Sequence, residues 1–230
     1  MTPALEARGL SLSWDGGATL ITRDVSLSVG RGEVVCLVGR SGCGKTTILH
    51  ALSGLSTPVA GQVLLHGEDV TGISGRVSYM LQKDLLLPHM RILDNVCLPL
   101  TLSGLSKREA HERAQGLMER FGLSGTEGAW PAQLSGGMRQ RAAFLRTYLM
   151  GNDVVLLDEP FSALDALTRV ELREWYVSMA RDLGLASVVI THDVDEAVAM
   201  ATRVYVLEGS PATAVRIEPN REQILKLLGF

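Results

Sequence analysis

The chain has 230 residues, and apolar residue types make up 46% of it. This length and composition are typical of one folded domain with room for an inserted subdomain, and they exclude a disordered or low-complexity chain. Lys and Arg contribute 22 residues against 25 for Asp and Glu, so the formal net charge is −3. Because the chain has no basic excess for binding a phosphate backbone, we expect no nucleic acid as a partner.

The sequence does not predict a membrane span. The longest stretch without Lys, Arg, Asp or Glu covers residues 46–67, and its His, Thr, Pro and Gln residues would be costly inside a bilayer. Residues 1–8 contain Pro, Glu and Arg where a signal peptide would have a continuous apolar segment, which predicts a cytoplasmic protein. Cys36, Cys43 and Cys97 lack metal-ligand or CxxC spacing, so we expect free thiols.

The first part of the chain predicts strands followed by one helix. Runs rich in Val, Leu and Ile at 5–12 and 20–29 flank a turn with two glycines, a pattern typical of antiparallel strands. A buried strand over 34–38, a Gly-rich loop and a helix over 46–55 follow. Further strands are predicted over 62–65 and 77–81.

The middle of the chain predicts helices. Between about residues 88 and 150 the strand pattern disappears. Ala110, Ala114, Leu117, Met118 and Phe121 have the spacing of an amphipathic helix. We therefore predict a helical insertion.

The last part of the chain predicts alternating strands and helices. This alternation is typical of βαβ units and of a parallel sheet. Strands are expected over 154–157, 187–190 and 204–208, and helices over 166–183, 194–201 and 222–228.

A glycine-rich loop follows the strand predicted over 34–38. Its residues match the phosphate-loop pattern G-x-x-x-x-G-K-[ST], in which backbone N–H groups and a helix N-terminus bind phosphate oxygens. Lys45 would reach the β and γ phosphates, and the Thr46 hydroxyl would bind Mg²⁺. The alternative is an ordinary glycine-rich turn with a chance lysine. The candidate nucleotide contacts here are Gly39, Arg40, Ser41, Gly42, Cys43, Gly44, Lys45, Thr46 and Thr47.

Two acids end the apolar run 154–157. At the carboxyl edge of a parallel sheet they would lie beside the phosphate loop. Asp158 is then the expected Mg²⁺ ligand, and Glu159 is placed to deprotonate the water that attacks the γ phosphate. The alternative is an acid pair that caps a helix before Pro160.

His192 follows the strand predicted over 187–190. At that strand end an imidazole can hydrogen-bond a γ phosphate. Taken alone, a single histidine is more often structural or simply solvated.

A second predicted helix start carries Ser135, Gly136 and Gly137 in the segment LSGGMRQ. Ser135 is a good N-cap, but two glycines directly after a cap are poor helix formers. Exposed N–H groups and a serine hydroxyl at a helix start can bind phosphate. Two such helix starts in one chain suggest that a second chain brings them to one nucleotide.

Together these motifs, in this order, resemble the ATP-binding subunit of ABC transporters over nearly the whole chain. The resemblance implies an α/β fold of the P-loop NTPase type, with a mixed central sheet, an N-terminal antiparallel β-subdomain and an inserted α-helical subdomain. It implies a single domain over 1–230, in which 1–83 and 151–230 form the core and about 84–150 the helical subdomain.

The resemblance also implies site roles and a dimer. ATP and Mg²⁺ bound at Lys45 of one subunit would be completed by the Ser135–Gly137 segment of a second copy, head to tail. Gln82 corresponds to the glutamine that senses Mg²⁺ and the γ phosphate, His192 to the switch histidine, and 162–165 to the D-loop. Trp14 stands near the position where the family stacks an aromatic ring on adenine; the alternative is a turn aromatic packed on the sheet.

The function implied is ATP hydrolysis that drives a membrane permease. The spellings LSGGMRQR, DEPF and LDALTR look like importers of the nitrate, sulfonate, taurine and pyrimidine-precursor group, and Leu145–Leu149 looks closer to transporters of thiamine precursors. The implied partners are permease subunits and a periplasmic or lipid-anchored solute-binding protein, which places the chain at the cytoplasmic face of the cell membrane. The alternatives are an exporter subunit, a DNA-repair ATPase or a ribosome-associated ATPase.

Residues 85–88, Leu-Leu-Leu-Pro, are more apolar than a surface loop requires. In the family this segment helps to form the groove that receives a cytoplasmic helix of the permease. The alternative is that these leucines fill the core.

Overall fold

The computed structural model describes residues 2–230. They form one ten-stranded sheet with helices packed on it. The strands are β1 (Leu5–Ser13), β2 (Leu20–Val29), β3 (Val34–Gly39), β4 (Ala60–Leu65), β5 (Glu68–Asp69), β6 (Ser78–Met80), β7 (Val154–Asp158), β8 (Ala186–Thr191), β9 (Arg203–Gly209) and β10 (Ala212–Ile217). The helices are α1 (Lys45–Leu52), α2 (Ile92–Leu102), α3 (Lys107–Met118), α4 (Gly136–Tyr148), α5 (Ala166–Leu183), α6 (Val194–Met200) and α7 (Arg221–Leu228), with a short 3-10 turn at Pro131–Gln133.

The sheet is mixed, with strand order β5-β4-β1-β2-β10-β9-β3-β8-β7-β6. Strands β9, β3, β8, β7 and β6 are parallel to one another, whereas β9 pairs antiparallel with β10, and β1 pairs antiparallel with both β2 and β4. The predicted α/β fold with a mixed sheet and an antiparallel N-terminal part is confirmed. Because parallel strands end at the same edge, the residues after β3, β7 and β8 lie side by side.

The parallel strands are buried on both faces. Every residue of β3, β7 and β8 is buried, as expected for near-continuous apolar runs covered by helices. Two apolar clusters result, one on each face of the sheet. One joins β1, β2 and α1, and the other joins the sheet to α2, α4 and α5.

Three helices in the middle of the chain form the predicted insertion. Helix α3 begins with a capping box in which Ser106 and Glu109 satisfy each other's backbone N–H groups. It buries Ala110, Ala114 and Met118 against the apolar cluster, in agreement with the helical spacing. The boundary of a separate subdomain at about 84–150 stays a prediction.

Some elements differ from the sequence predictions. Helix α1 ends at Leu52 and not at residue 55, because Gly54 has φ +72° and Leu55 turns outward into solvent. Strand β10 was not expected, since its residues after Ala212 are partly buried or exposed and show no apolar alternation. The two-residue strand β5 is exposed and was not expected either. No helix within residues 2–230 is long and apolar enough to cross a bilayer.

Candidate active site

The loop between β3 and α1 has the conformation that its glycines predict. Gly42 and Gly44 have φ values of +80° and +100°, in the left-handed region that glycine tolerates. A Cβ atom on Gly44 would also lie 2.8 Å from Cγ2 of Ile21, so the loop passes close to β2 only without a side chain there. The chain thus turns tightly into α1, with the first backbone N–H groups of the helix free to face a ligand.

Lys45 opens α1 and is almost fully buried. Its ammonium group donates to the carbonyl oxygens of Gly39 at 2.8 Å and Arg40 at 3.0 Å. An ammonium group has three donors, so one remains for a phosphate oxygen. The loop therefore holds a positive charge in place at the start of α1.

A cleft of about 360 Å³ opens above this loop. Eight of the predicted residues and two unexpected ones line its wall, whereas Gly39, Arg40 and Cys43 of the same loop do not. Trp14 is 77% exposed at the cleft edge, so it is not a turn aromatic packed on the sheet. The lining residues are Trp14, Ile21, Ser41, Gly42, Gly44, Lys45, Thr46, Thr47, His50 and Glu159.

Thr46 and Asp158 meet beside the cleft. The Thr46 hydroxyl donates to Oδ2 of Asp158 at 3.1 Å, and the Tyr79 hydroxyl donates to the same oxygen at 3.4 Å. Burial raises the pKa of Asp158 above its usual range, while the bond from Thr46 opposes that shift. A hydroxyl and a carboxylate next to a phosphate site fit Mg²⁺, which uses few protein ligands together with waters and phosphate oxygens.

Glu159 has a constrained backbone and a well-held side chain. Its φ of +46° is unusual for a residue with a side chain and costs on the order of 1–3 kcal/mol. Gln82 donates to its carboxylate at 3.2 Å, and Nδ1 of His192 lies 3.1 Å from Oε2. Three residues that the sequence assigned to the reaction therefore meet at one point, where the loops after β6, β7 and β8 converge.

The predicted residues Ser135, Gly136 and Gly137 lie elsewhere. Ser135 caps α4 by accepting from the N–H of Met138 at 3.3 Å. The described residues that line the nucleotide cleft include none of these three. Gly136 instead lines a neighbouring cleft together with Gln82 and Arg139.

The glycines after Ser135 also have a packing role. A Cβ atom on Gly137 would lie 2.7 Å from Cγ2 of Thr168, and one on Gly136 would lie 3.2 Å from Cδ2 of Leu164. The start of α4 thus packs against the segment that leads into α5. Our sequence analysis gave only a ligand-binding reason for these glycines, and the close approach of the two elements adds a second.

Three residues at the site were not expected from the sequence. His50 lies one helical turn after Thr46, a spacing that could have indicated it. Ile21 and Tyr79 reach the site from β2 and β6, and no local pattern identifies them. Tyr79 also packs edge-on against His50, with ring centroids 5.9 Å apart.

A second cleft, here called the apolar groove, lies between the loop after β6 and helices α2 and α4, with a volume of about 360 Å³. Leu85 is 50% exposed on its wall, whereas Leu86 is only 8% exposed and belongs to the core. Arg146 holds this loop by donating to the carbonyl oxygens of Asp84 and Leu85. The apolar groove is lined by Tyr79, Met80, Leu81, Lys83, Leu85, Leu98, Pro99, Leu102, Arg146, Thr147 and Met150.

Comparison with known proteins agrees with this geometry. The family model described as ABC transporter matches residues 22–162. The chain is 39% identical over 214 residues to the formylaminopyrimidine import ATP-binding protein ThiZ of Halalkalibacterium halodurans. That match covers 92% of this chain and 83% of the relative. It is 40% identical over 217 residues to the taurine import ATP-binding protein TauB of Pseudomonas aeruginosa. That match covers 94% of this chain and 82% of the relative.

Solved structures show the same fold. CbiO1 of Clostridium perfringens, part of an ABC transporter complex, superposes with a TM-score of 0.86 at 21% identity, over 99% of this chain and 93% of that one. The ADP conformation of MJ1267, an ATP-binding cassette of an ABC transporter, superposes with a TM-score of 0.85 at 19% identity, over 99% of this chain and 95% of that one. The chain therefore belongs to the ABC transporter family, as an ATP-binding and ATP-hydrolysing subunit similar to those of importers.

Proposed function

We propose that this chain couples the hydrolysis of Mg²⁺-ATP to solute import, as one of two copies that close on nucleotide and act on a membrane permease at the cytoplasmic face of the membrane. The observation that carries the proposal is the convergence at one sheet edge of Lys45, Thr46, Asp158 and Glu159. A phosphate cradle, a metal-binding pair and a carboxylate base are the parts that hydrolysis of a γ phosphate requires.

The cleft supports nucleotide binding by residue type. The N–H groups of the Gly42–Thr47 segment and the free donor of Lys45 would hold the phosphates. Trp14 offers an exposed ring on the wall of the cleft, on which adenine would stack. A Mg²⁺ ion held by Thr46 and Asp158 supplies positive charge to the β and γ phosphates when it is bound.

The carboxylate of Glu159 is the proposed general base. It would accept a proton from the attacking water, while His192 and Gln82 hold it in position from two sides. His192 would also hydrogen-bond the γ phosphate, and Gln82 would approach the metal. Gln82 donates to Glu159 and to Ser162, so its amide would have to turn away from both residues to approach the metal.

The position of the start of α4 supports the proposed dimer. Since Ser135, Gly136 and Gly137 do not line the cleft of their own chain, a second copy would have to present them to the nucleotide. Two copies arranged head to tail would each complete the other's site. Nucleotide binding and association are then linked, and ATP shifts the chain towards the dimer.

The apolar groove is the proposed contact for the permease. Leu81, Leu85, Leu102 and Met150 are exposed on or beside it, more apolar surface than a free loop needs. A helix of the permease that lays apolar side chains into this groove would transmit closure of the dimer. The relatives named for formylaminopyrimidine and taurine import suggest a small organic solute, delivered by a solute-binding protein in the periplasm or anchored by lipid.

The test is a reconstitution of this chain with its permease subunits. We expect ATPase activity in detergent or vesicles, and uptake of solute only with the permease and binding protein present. Light scattering should find a monomer without nucleotide and a dimer when the Glu159→Gln variant is given Mg²⁺-ATP. A tight nucleotide-free dimer through a surface without Ser135 would contradict the head-to-tail scheme. Outward movement of solute, or copurification with ribosomes, would favour the exporter or the ribosome-associated alternative.

A further inference from the structure

The Arg169 side chain bridges two loops next to the proposed base. Arg169 lies in the first turn of α5, and its Nη2 donates to the carbonyl oxygen of Leu164 at 2.9 Å. Its Nη1 lies 3.5 Å from Oδ2 of Asp193. A planar guanidinium group can make two such contacts in fixed directions, which a lysine cannot.

Both loops hold partners of Glu159. Ser162, two residues before Leu164, donates its hydroxyl to the Glu159 carbonyl oxygen at 2.9 Å. Asp193 directly follows His192 and caps α6 by accepting from the N–H of Glu196 at 3.0 Å. A shift of either loop would therefore move a group that contacts Glu159.

The surroundings of Arg169 favour a fixed cation. A cavity of about 30 Å³, enough for a water molecule, lies among Arg169, Glu196, Glu159, His192, Ser162, Thr191 and Asp193. Within the described part of the chain, neither Nε of Arg169 nor Oε1 of Glu196 has a hydrogen-bond partner, and both atoms are buried. Glu196 is only 4% exposed, and burial raises its pKa to about 7. The charge of Arg169 offsets part of the cost of the carboxylates around it.

We propose that Arg169 is a positioning residue for ATP hydrolysis, which locks the D-loop, residues 162–165, to the loop that carries His192. The inference depends on the roles proposed above for Glu159 and His192. The described residues that line the nucleotide cleft do not include Arg169, so its loss should act on turnover and leave ATP binding intact. Misplacement of a reacting group by a fraction of an ångström is enough to slow a reaction.

The experiment compares four variants of the full chain, assembled with its permease. Arg169→Ala removes both contacts, and Arg169→Lys keeps the charge but not the planar fork. Asp193→Asn keeps the cap on α6, since Asn is a good N-cap, but removes the charge partner. Arg181→Ala, at an exposed position on the same helix, is the matched control.

We expect Arg169→Ala to lower kcat about 10-fold or more, with KM for ATP within about twofold of wild type. Arg169→Lys should lose less kcat than Arg169→Ala. Arg181→Ala should keep the wild-type kcat. Asp193→Asn combined with Arg169→Ala should be little worse than the worse single variant, because both break one connection. The imidazole NMR signal of His192, assigned by its loss in His192→Ala, should shift in Arg169→Ala and stay in place in Arg181→Ala.

Three outcomes would overturn the inference. These are a wild-type kcat in Arg169→Ala, a loss of kcat matched by an equal loss in Arg181→Ala, and fully additive effects of the Arg169 and Asp193 changes. If Arg169→Ala does not fold, the kcat and the NMR signals of Arg169→Lys and Asp193→Asn decide the question.

Glu159→Gln and His192→Ala are measured beside these variants. If those two retain turnover, the proposed function has failed; if they lose it while Arg169→Ala does not, only this inference has failed.

Discussion

Nδ1 of His192 lies 3.1 Å from Oε2 of Glu159, although the two residues follow different strands. The contact exists because β7 and β8 are parallel neighbours, paired from Val154 with Ala186 to Asp158 with Ile190. Residues that follow paired positions of parallel strands emerge at the same edge. The relationship places the proposed base next to the proposed phosphate sensor.

The first prediction concerns Glu159. Glu159→Gln should keep ATP binding and lose about 10² to 10⁴ in turnover, because an amide cannot accept the proton of the attacking water. Gln has the same backbone demands at φ +46°, so the fold should be unchanged. Chromatography with Mg²⁺-ATP should show a stable dimer. Glu174→Gln, at an exposed position of α5, is the control, and equal hydrolysis in both variants would remove Glu159 from the role of base.

The second prediction separates the two roles of Lys45. Lys45→Ala should weaken ATP binding, because a phosphate contact is lost. It should also lower the free energy of unfolding without nucleotide by about 1–3 kcal/mol, since the carbonyl oxygens of Gly39 and Arg40 lose their donor. Fluorescent nucleotide titration and nucleotide-free chemical denaturation measure the two effects. Lys226→Ala, exposed on α7, should change neither.

The third prediction concerns the glycines at the start of α4. Gly137→Ala should destabilise the chain, because its Cβ atom would lie 2.7 Å from Cγ2 of Thr168. Adding Thr168→Ser removes that methyl group and should restore the melting temperature. If the glycine also serves phosphate binding by a second copy, ATPase activity should stay low in the double variant. Full recovery of activity together with stability would leave only the packing role.

The sequence allowed some of these contacts to be predicted and not others. The phosphate loop, the acids after β7 and His192 are read from short patterns, because each pattern specifies both the element and the chemistry. Strand β10 carries few buried residues, so no period identified it. The contact of Gly137 with Thr168, like that of Tyr79 with Asp158, depends on which elements become neighbours in space. Neither the periodicity of the sequence nor the residue types predict which elements become neighbours.

The fourth prediction concerns pH and Glu196. Its pKa is about 7 in the folded chain against an ordinary value of 4.5, because burial penalises the charged form. The folded chain therefore holds a proton that the unfolded chain has lost between about pH 4.5 and 7, and stability falls as pH rises through that range. Asp193 adds to the shift, whereas Thr191, Arg169 and Arg173 oppose it.

Glu196→Gln cannot ionise, so it should be more stable than wild type at pH 8, by up to about 3 kcal/mol, and equal to it at pH 4. Urea denaturation at a series of pH values measures the difference. Glu222→Gln, exposed on α7, should show no such trend. A constant difference between Glu196→Gln and wild type from pH 4 to pH 8 would show that folding does not shift the pKa of Glu196.

The last prediction uses two adjacent leucines that the fold treats differently. Leu85 is 50% exposed on the apolar groove, whereas Leu86 is 8% exposed and packs in the core. Leu85→Glu should leave the thermal melt and the ATPase activity of the isolated subunit unchanged. A charge in the groove should, however, disfavour an apolar permease helix, and solute uptake in reconstituted vesicles should fall. Leu86→Glu buries a charge and should unfold the chain.

Leu55→Glu is the matched control for Leu85→Glu. Leu55 is a leucine of similar exposure that does not line the groove, so its change should affect neither the melt nor uptake. The comparison isolates position, because the substitution and the added charge are the same. Normal uptake in Leu85→Glu would show that this wall of the groove does not contact the permease. An equal loss of uptake in both variants would mean that added charge, and not the groove, is responsible.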